Sequence, residues 1–160
     1  MMKIFFLVVI GVLLSCGQYA YAKIIVLNNQ NPDICRQQII QAGDHHPVVL
    51  SYIKDCTWAK KVMPLYEQAS NESPDRAFFS YVFNDDESNA YMNAKTAHDC
   101  LGIIPIRSPS FYMFNVFTGK MGMIFGEMKQ GLDGSATLED IRKFSSYDFN
   151  IKYTALKTKL

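Results

Sequence analysis

The chain has 160 residues, 49% hydrophobic and 13% aromatic, which is enough for one domain with a substantial core. Lys and Arg number 16 against 15 Asp and Glu, a formal net charge of +1. That balance gives no global field to draw nucleic acid or an anionic membrane, and neither is expected as a partner on electrostatic grounds.

The N-terminus reads as a targeting segment. Lys3 supplies a minimal basic region, residues 4–14 are an unbroken apolar run, and Ala20-Tyr21-Ala22 is a small-residue cleavage site. The run is short for a membrane span, and polar residues follow it. A signal peptide over residues 1–22 is therefore expected, with a mature chain from Lys23. A second reading stays open. Leu13-Leu14-Ser15-Cys16-Gly17 resembles a bacterial lipobox, in which Cys16 would be lipidated and hold the protein at a membrane. Export, to the periplasm or the outside, is expected either way. Disulfides persist there. Cleavage at Ala22 leaves Cys35, Cys56 and Cys100, an odd set in which at least one cysteine has no intrachain partner.

Residues 23–27 form a short apolar strand and lead into the turn-rich Asn28-Asn29-Gln30-Asn31-Pro32. Asp33 is the expected N-cap of a helix carrying Ile34, Ile39 and Ile40 and stopped near Gly43. His45-His46-Pro47 reads as a solvated loop; adjacent histidines rarely converge on a metal, His98 stands alone, and no metal site is expected. Val48-Val49-Leu50-Ser51-Tyr52-Ile53 then reads as a buried strand by its β-branched and aromatic content. Lys54-Asp55-Cys56-Thr57-Trp58-Ala59 follows, and after it Val62, Leu65, Tyr66 and Ala69 recur at helical spacing. Cys56 thus stands where a strand ends and a helix begins, a place where unpaired amide N–H groups and the helix dipole favour a thiolate.

That helix should end around Ser70-Asn71-Glu72-Ser73-Pro74. Residues 77–83 form an aromatic-rich strand. Without interleaved basic residues its aromatics are core rather than a nucleic-acid platform. Asn84-Asp85-Asp86-Glu87 lacks the spaced ligands of a calcium loop and suits a helix start. The helix over residues 88–101 places Tyr91, Ala94, Ala97, His98 and Leu101 on one side, and Gly102 ends it. Strands over 111–117 and 121–125 flank a Thr118-Gly119-Lys120 turn. A loop with Asp133-Gly134-Ser135 follows, and Thr137 with Asp140 forms a capping pair for a last helix reaching Phe149. The domain spans 23–150; residues 151–160 are a basic, weakly patterned tail expected to be mobile.

Taken in order, these segments resemble the thioredoxin-like superfamily over residues 24–149. In that family a strand runs into Cys-x-x-Cys, and a proline follows five residues after the second cysteine; here Pro64 follows Ala59 by five. A cis-proline opens a later strand facing the active cysteine. Pro105 and Pro109 compete for that place, and Ser108-Pro109 is preferred because the aromatic strand Phe111-Tyr112-Met113-Phe114 begins directly after it. The resemblance implies an α/β thioredoxin-like fold, a central mixed β-sheet flanked by helices on both faces. It also implies an attacking thiol at Cys56, client contacts from Thr57, Trp58, Ser108 and Pro109, and no cofactor.

The departures from the family matter as much. The position of the resolving cysteine holds Ala59, and Leu50 stands where thioredoxins often bury an aspartate. An ordinary two-cysteine reductase is thereby excluded. The family's helix arrangement puts Cys35 and Cys100 on the same side of the sheet, so a structural disulfide between them is expected, with two buried thiols as the alternative. Three functions remain: a monothiol redox or isomerase-like protein acting on client proteins or small thiols through Cys56, a non-enzymatic adaptor using the cis-proline groove, and an inert scaffold.

Overall fold

A computed structural model describes residues 24–43, 46–83, 87–103, 108–119 and 122–147. The signal segment, Cys16, His45, the Asn84-Asp85-Asp86 run, Pro105, Lys120 and the tail lie outside the described residues. The elements run β1 (Ile25–Val26), α1 (Pro32–Ala42), β2 (Val48–Ile53), α2 (Thr57–Glu72), β3 (Phe78–Phe83), α3 (Glu87–Leu101), β4 (Ser110–Gly119), β5 (Gly122–Gln130) and α4 (Leu138–Ser145).

The sheet order is β1-β3-β2-β4-β5. β1, β3 and β2 are parallel, whereas β4 runs antiparallel to β2 and β5 antiparallel to β4. This mixed sheet with helices on both faces is the thioredoxin-like fold. Its centre is β2, and a strand covered on both faces is apolar along most of its length rather than at alternate positions, with Ser51 the polar exception. Val48 and Leu50 face a core built with Val62, Tyr66 and Ala69 of α2 and Ile141 and Phe144 of α4. Val49 faces the opposite core, with Cys35 and Ile39 of α1 and Ala97, Cys100 and Leu101 of α3. The two layers therefore pair α1 with α3 and α2 with α4.

Tyr66, Tyr81 and Asn93 inside these cores are satisfied over long sequence distances. The Tyr66 hydroxyl, buried in the α2 layer, lies 2.9 Å from the carbonyl oxygens of both Val48 and Phe79 and donates to one at a time. Burial pushes its pKa well up, so the phenol stays protonated. In the other layer, Tyr81 Oη donates to Asn93 O at 2.7 Å, and Asn93 Nδ2 donates to Asn29 O at 2.9 Å. A disulfide between Cys35 and Cys100 joins α1 to α3.

Five local expectations need correction. The cap of α1 is Asn31 rather than Asp33: its side chain accepts from the N–H groups of Asp33 and Ile34, and Pro32 takes the first helical turn where no N–H is needed. His46 is buried, at 7% exposure, and not part of a solvated loop. The buried side of α3 carries Asn93, Thr96, Ala97, Cys100 and Leu101, while Tyr91 is 73% exposed and His98 is exposed. β5 continues through Gly126 to Gln130 because β4 pairs with it along that length, with a bulge between Phe114 and Val116. At the C-terminal end, α4 stops at Ser145, before Phe149. Its capping box is present: Thr137 Oγ1 accepts from Asp140 N, and the Asp140 carboxylate accepts from Thr137 N.

Candidate functional site

β2 ends in a tight turn that delivers Cys56 to the start of α2. Lys54 N donates to Phe83 O at 2.7 Å, and Cys56 N donates to Ile53 O at 3.1 Å. Asp55 closes the turn with φ of 66°, a left-handed conformation that aspartate tolerates better than most side chains. Cys56 is the N-cap residue of α2, extended at φ −59° and ψ 122°, and its carbonyl accepts from Lys60 N at 3.1 Å. The N–H groups of Thr57, Trp58 and Ala59 therefore have no acceptor within the helix and point toward the Cys56 side.

Opposite lies the Ser108–Pro109 peptide, which is cis. Ser108 uses both its polar ends here. Its hydroxyl accepts from Ile53 N at 2.8 Å, and its carbonyl oxygen lies 3.7 Å from Cys56 Sγ, a weak S–H donor. Ser110, next in line, pairs with Ser51 where β4 begins. The strand leading to Cys56 and the strand that follows Pro109 are thus fixed to each other by the sheet register.

Trp58, 52% exposed, stands at the second position of α2, with Lys61 Nζ 4.5 Å from the centre of its ring. Beside it is a cavity of about 390 Å³ lined by Trp58, Ser108, Pro109, Asp133, Gly134 and Ser135. Ser108 links the cavity to the thiol. Asp55, the acid nearest Cys56 in sequence, pairs with Lys60 at 3.2 Å; the pair is solvent-exposed and stabilises little, but it offsets the negative charge beside the thiol. Ala59 is only 3% exposed and puts a methyl where a second thiol would stand. Leu50 is buried in the α2 layer.

Of the residues expected at the site, the structure brings together Cys56, Trp58, Ser108 and Pro109. Thr57 is exposed at the first helical position and does not line the cavity. Cys35 and Cys100 lie in the α1–α3 layer, across the sheet from α2. The wall from Asp133 to Ser135 was not foreseen. Its sequence reads as an ordinary turn, and only the path of β5 past β4 carries it to the groove. Among the described residues, no cluster of His, Cys, Asp and Glu is arranged to hold a metal ion.

No protein-family model matches the sequence, and no curated protein matches it. Solved structures do. Thioredoxin O2 from Arabidopsis thaliana, in the oxidised state, is similar at 14% identity and a TM-score of 0.45, covering 87% of this chain and 95% of that one. A thioredoxin from Malassezia sympodialis is similar at 23% identity, a TM-score of 0.46, and 78% and 93% coverage. The oxidised thioredoxin of Plasmodium falciparum gives 14% identity, a TM-score of 0.47, and 78% and 100% coverage.

Proposed function

We propose that this chain is an exported monothiol protein that forms mixed disulfides with client proteins or small thiols through Cys56. The observation that carries the reading is the position of Cys56: N-cap of α2, Sγ 3.7 Å from the Ser108 carbonyl beside the cis-proline, with buried Ala59 in place of a second thiol. Amide N–H groups at the helix start stabilise a thiolate. That thiolate attacks one sulfur of a client disulfide. A bond forms between Cys56 Sγ and that sulfur, the client's S–S bond breaks, and the departing sulfur leaves as a thiolate that takes a proton from water.

With a methyl at position 59 and the other two described cysteines already joined, the mixed disulfide has no neighbouring thiol to break it. Release then needs a second thiolate, from the client itself or from a small thiol, attacking the client sulfur and returning Cys56 as a thiolate. When the client supplies it, the outcome is a reshuffled disulfide with no net oxidation, an isomerase-like result. Export belongs to the same reading. The basic, apolar and small-residue order of residues 3–22 supports a cleaved signal and a periplasmic or secreted protein, with lipid anchoring at Cys16 as the alternative.

The test is reaction with a peptide whose cysteine is bonded to an aromatic thiol leaving group. The wild-type chain should release the aromatic thiolate and retain the peptide; Cys56→Ser should release none. Equal release by the two would remove the proposal. A second reading, a binding module without turnover, is favoured by Leu50, which puts an apolar group where thioredoxins often bury a proton-carrying acid. It replaces the first if Cys56→Ser binds clients as well as wild type and Cys56 reacts no faster than a cysteine in an unstructured peptide.

A further inference from the structure

The groove beside Cys56 is shaped by a contact that leaves no room for a side chain. A Cβ built on Gly134 would lie 2.6 Å from Trp58 Cβ, 3.0 Å from Trp58 Cγ and 3.2 Å from Pro109 Cδ. Trp58 Cβ sits on a helix and Pro109 Cδ in a ring, so neither can swing aside like the end of a flexible side chain. Gly134 has no left-handed φ, so glycine is required here for space rather than for backbone conformation. The turn that carries it is held from within and from outside. Asp133 Oδ1 accepts from Ser135 N at 2.8 Å and from Ser135 Oγ at 2.6 Å, and Ala136 N donates to Asp133 O at 3.1 Å. Phe111 N donates to Leu132 O at 3.3 Å, tying the loop to the strand just past Pro109.

We propose that Gly134 is the positioning residue for Trp58. Its bare backbone lets the turn lie against the indole and the cis-proline ring at once, and this fixes the width of the groove through which a ligand reaches Cys56. The proposal rests on the site reading above and adds what sets its selectivity. The indole is one wall and the Asp133–Ser135 turn the other, and the volume of about 390 Å³ is at the small end of ligand clefts. It suits a short extended segment bearing a cysteine rather than a broad folded surface. A side chain at position 134 pushes the walls apart, which harms the recognition of such a segment while leaving the thiol open to small reagents.

Trp58 is the only tryptophan in the sequence, so its fluorescence reports the contact directly. The experiment compares wild type, Gly134→Ala and Gly131→Ala in the full chain. A Cβ on Gly131 would meet only Phe144, at 3.6 Å, an ordinary contact in the same loop. Gly134→Ala should raise acrylamide quenching of Trp58 about twofold and slow mixed-disulfide formation with the activated cysteine peptide about tenfold, with the iodoacetamide rate at Cys56 changed less than about twofold. Gly131→Ala should match wild type in all three. Ser135→Ala loosens the turn without adding a methyl and should raise quenching in the same direction, which keeps the claim testable if Gly134→Ala does not fold. Wild-type quenching and wild-type peptide rate in Gly134→Ala would overturn the proposal, as would equal changes in Gly131→Ala. A wild-type chain that reacts with no peptide would overturn the thiol-exchange reading instead, and the quenching comparison would still decide the role of Gly134.

Discussion

Cys56 stands apart from an ordinary surface cysteine because the three following N–H groups lack helical acceptors and the nearest acid, Asp55, is paired with Lys60. Both features favour the thiolate. At neutral pH, Cys56 should therefore react with iodoacetamide faster than a cysteine in an unstructured peptide. A rate no faster than that would leave the helix start without chemical consequence. Ala59 is the complementary case. Because it is buried and small, Ala59→Cys should fit with little change in packing and give Cys56 a resolving partner. Mixed disulfides that persist in the wild-type chain should then be released within the variant, at a rate independent of added thiol. Persistence in the variant would mean that the geometry at position 59 does not bring a thiol onto Cys56. Cys56 was legible from its place between a strand and a helix, and Trp58 and Ser108-Pro109 from the resemblance to the thioredoxin-like superfamily. The wall made by Gly134 was not, since a glycine required for space looks in sequence like any glycine in a turn.

At the level of elements, the sheet separates two tasks. The α1–α3 layer is closed by the Cys35–Cys100 disulfide, and the α2–α4 layer carries the site. A cross-link over 65 residues constrains the unfolded chain, so Cys100→Ala should destabilise by about 2–4 kcal/mol in urea unfolding. If Cys56 alone carries the chemistry, its reaction with the activated peptide should be kept under conditions where the variant is folded. On the other face, Arg142 of α4 donates to both carboxylate oxygens of Glu72 on α2, at 2.7 and 2.9 Å. These bonds, with a lesser one from Gln68, hold the Glu72 carboxyl at about 2 against an ordinary 4.5. The sign follows from the depressed folded-state value: the pair's contribution is complete above pH 4.5 and is lost as pH falls toward 2. Thermal melts should show this loss in that interval, and Glu72→Gln should flatten it; the effect is small because both groups are exposed. An unchanged acid limb in the variant would place the acid sensitivity elsewhere. Element boundaries followed from sequence where caps are local, as with Thr137 and Asp140. The face of α3 did not, because Asn93 is made burial-tolerant by Tyr81 and Asn29, partners that no periodicity reveals.

Across the whole molecule, the positions of β2 and β3 along the chain were legible because they read as apolar or aromatic runs, while the mixed central sheet came from the resemblance to the thioredoxin-like superfamily. The burial of His46 was not, since no local pattern marks it. The same topology that sets β4 antiparallel to β2 brings Ser108 to Cys56, so the candidate site is a property of the fold as much as of its residues. The most direct measurement is the intact mass of the full chain after exposure to an activated cysteine peptide and excess alkylating reagent, followed by peptide mapping without reduction. Thiol exchange at a single cysteine predicts one peptide adduct on Cys56, stable in the absence of added thiol, with Cys35 and Cys100 still joined. No adduct, an adduct on Cys35 or Cys100, or Cys56 bonded to another cysteine of the chain would contradict it.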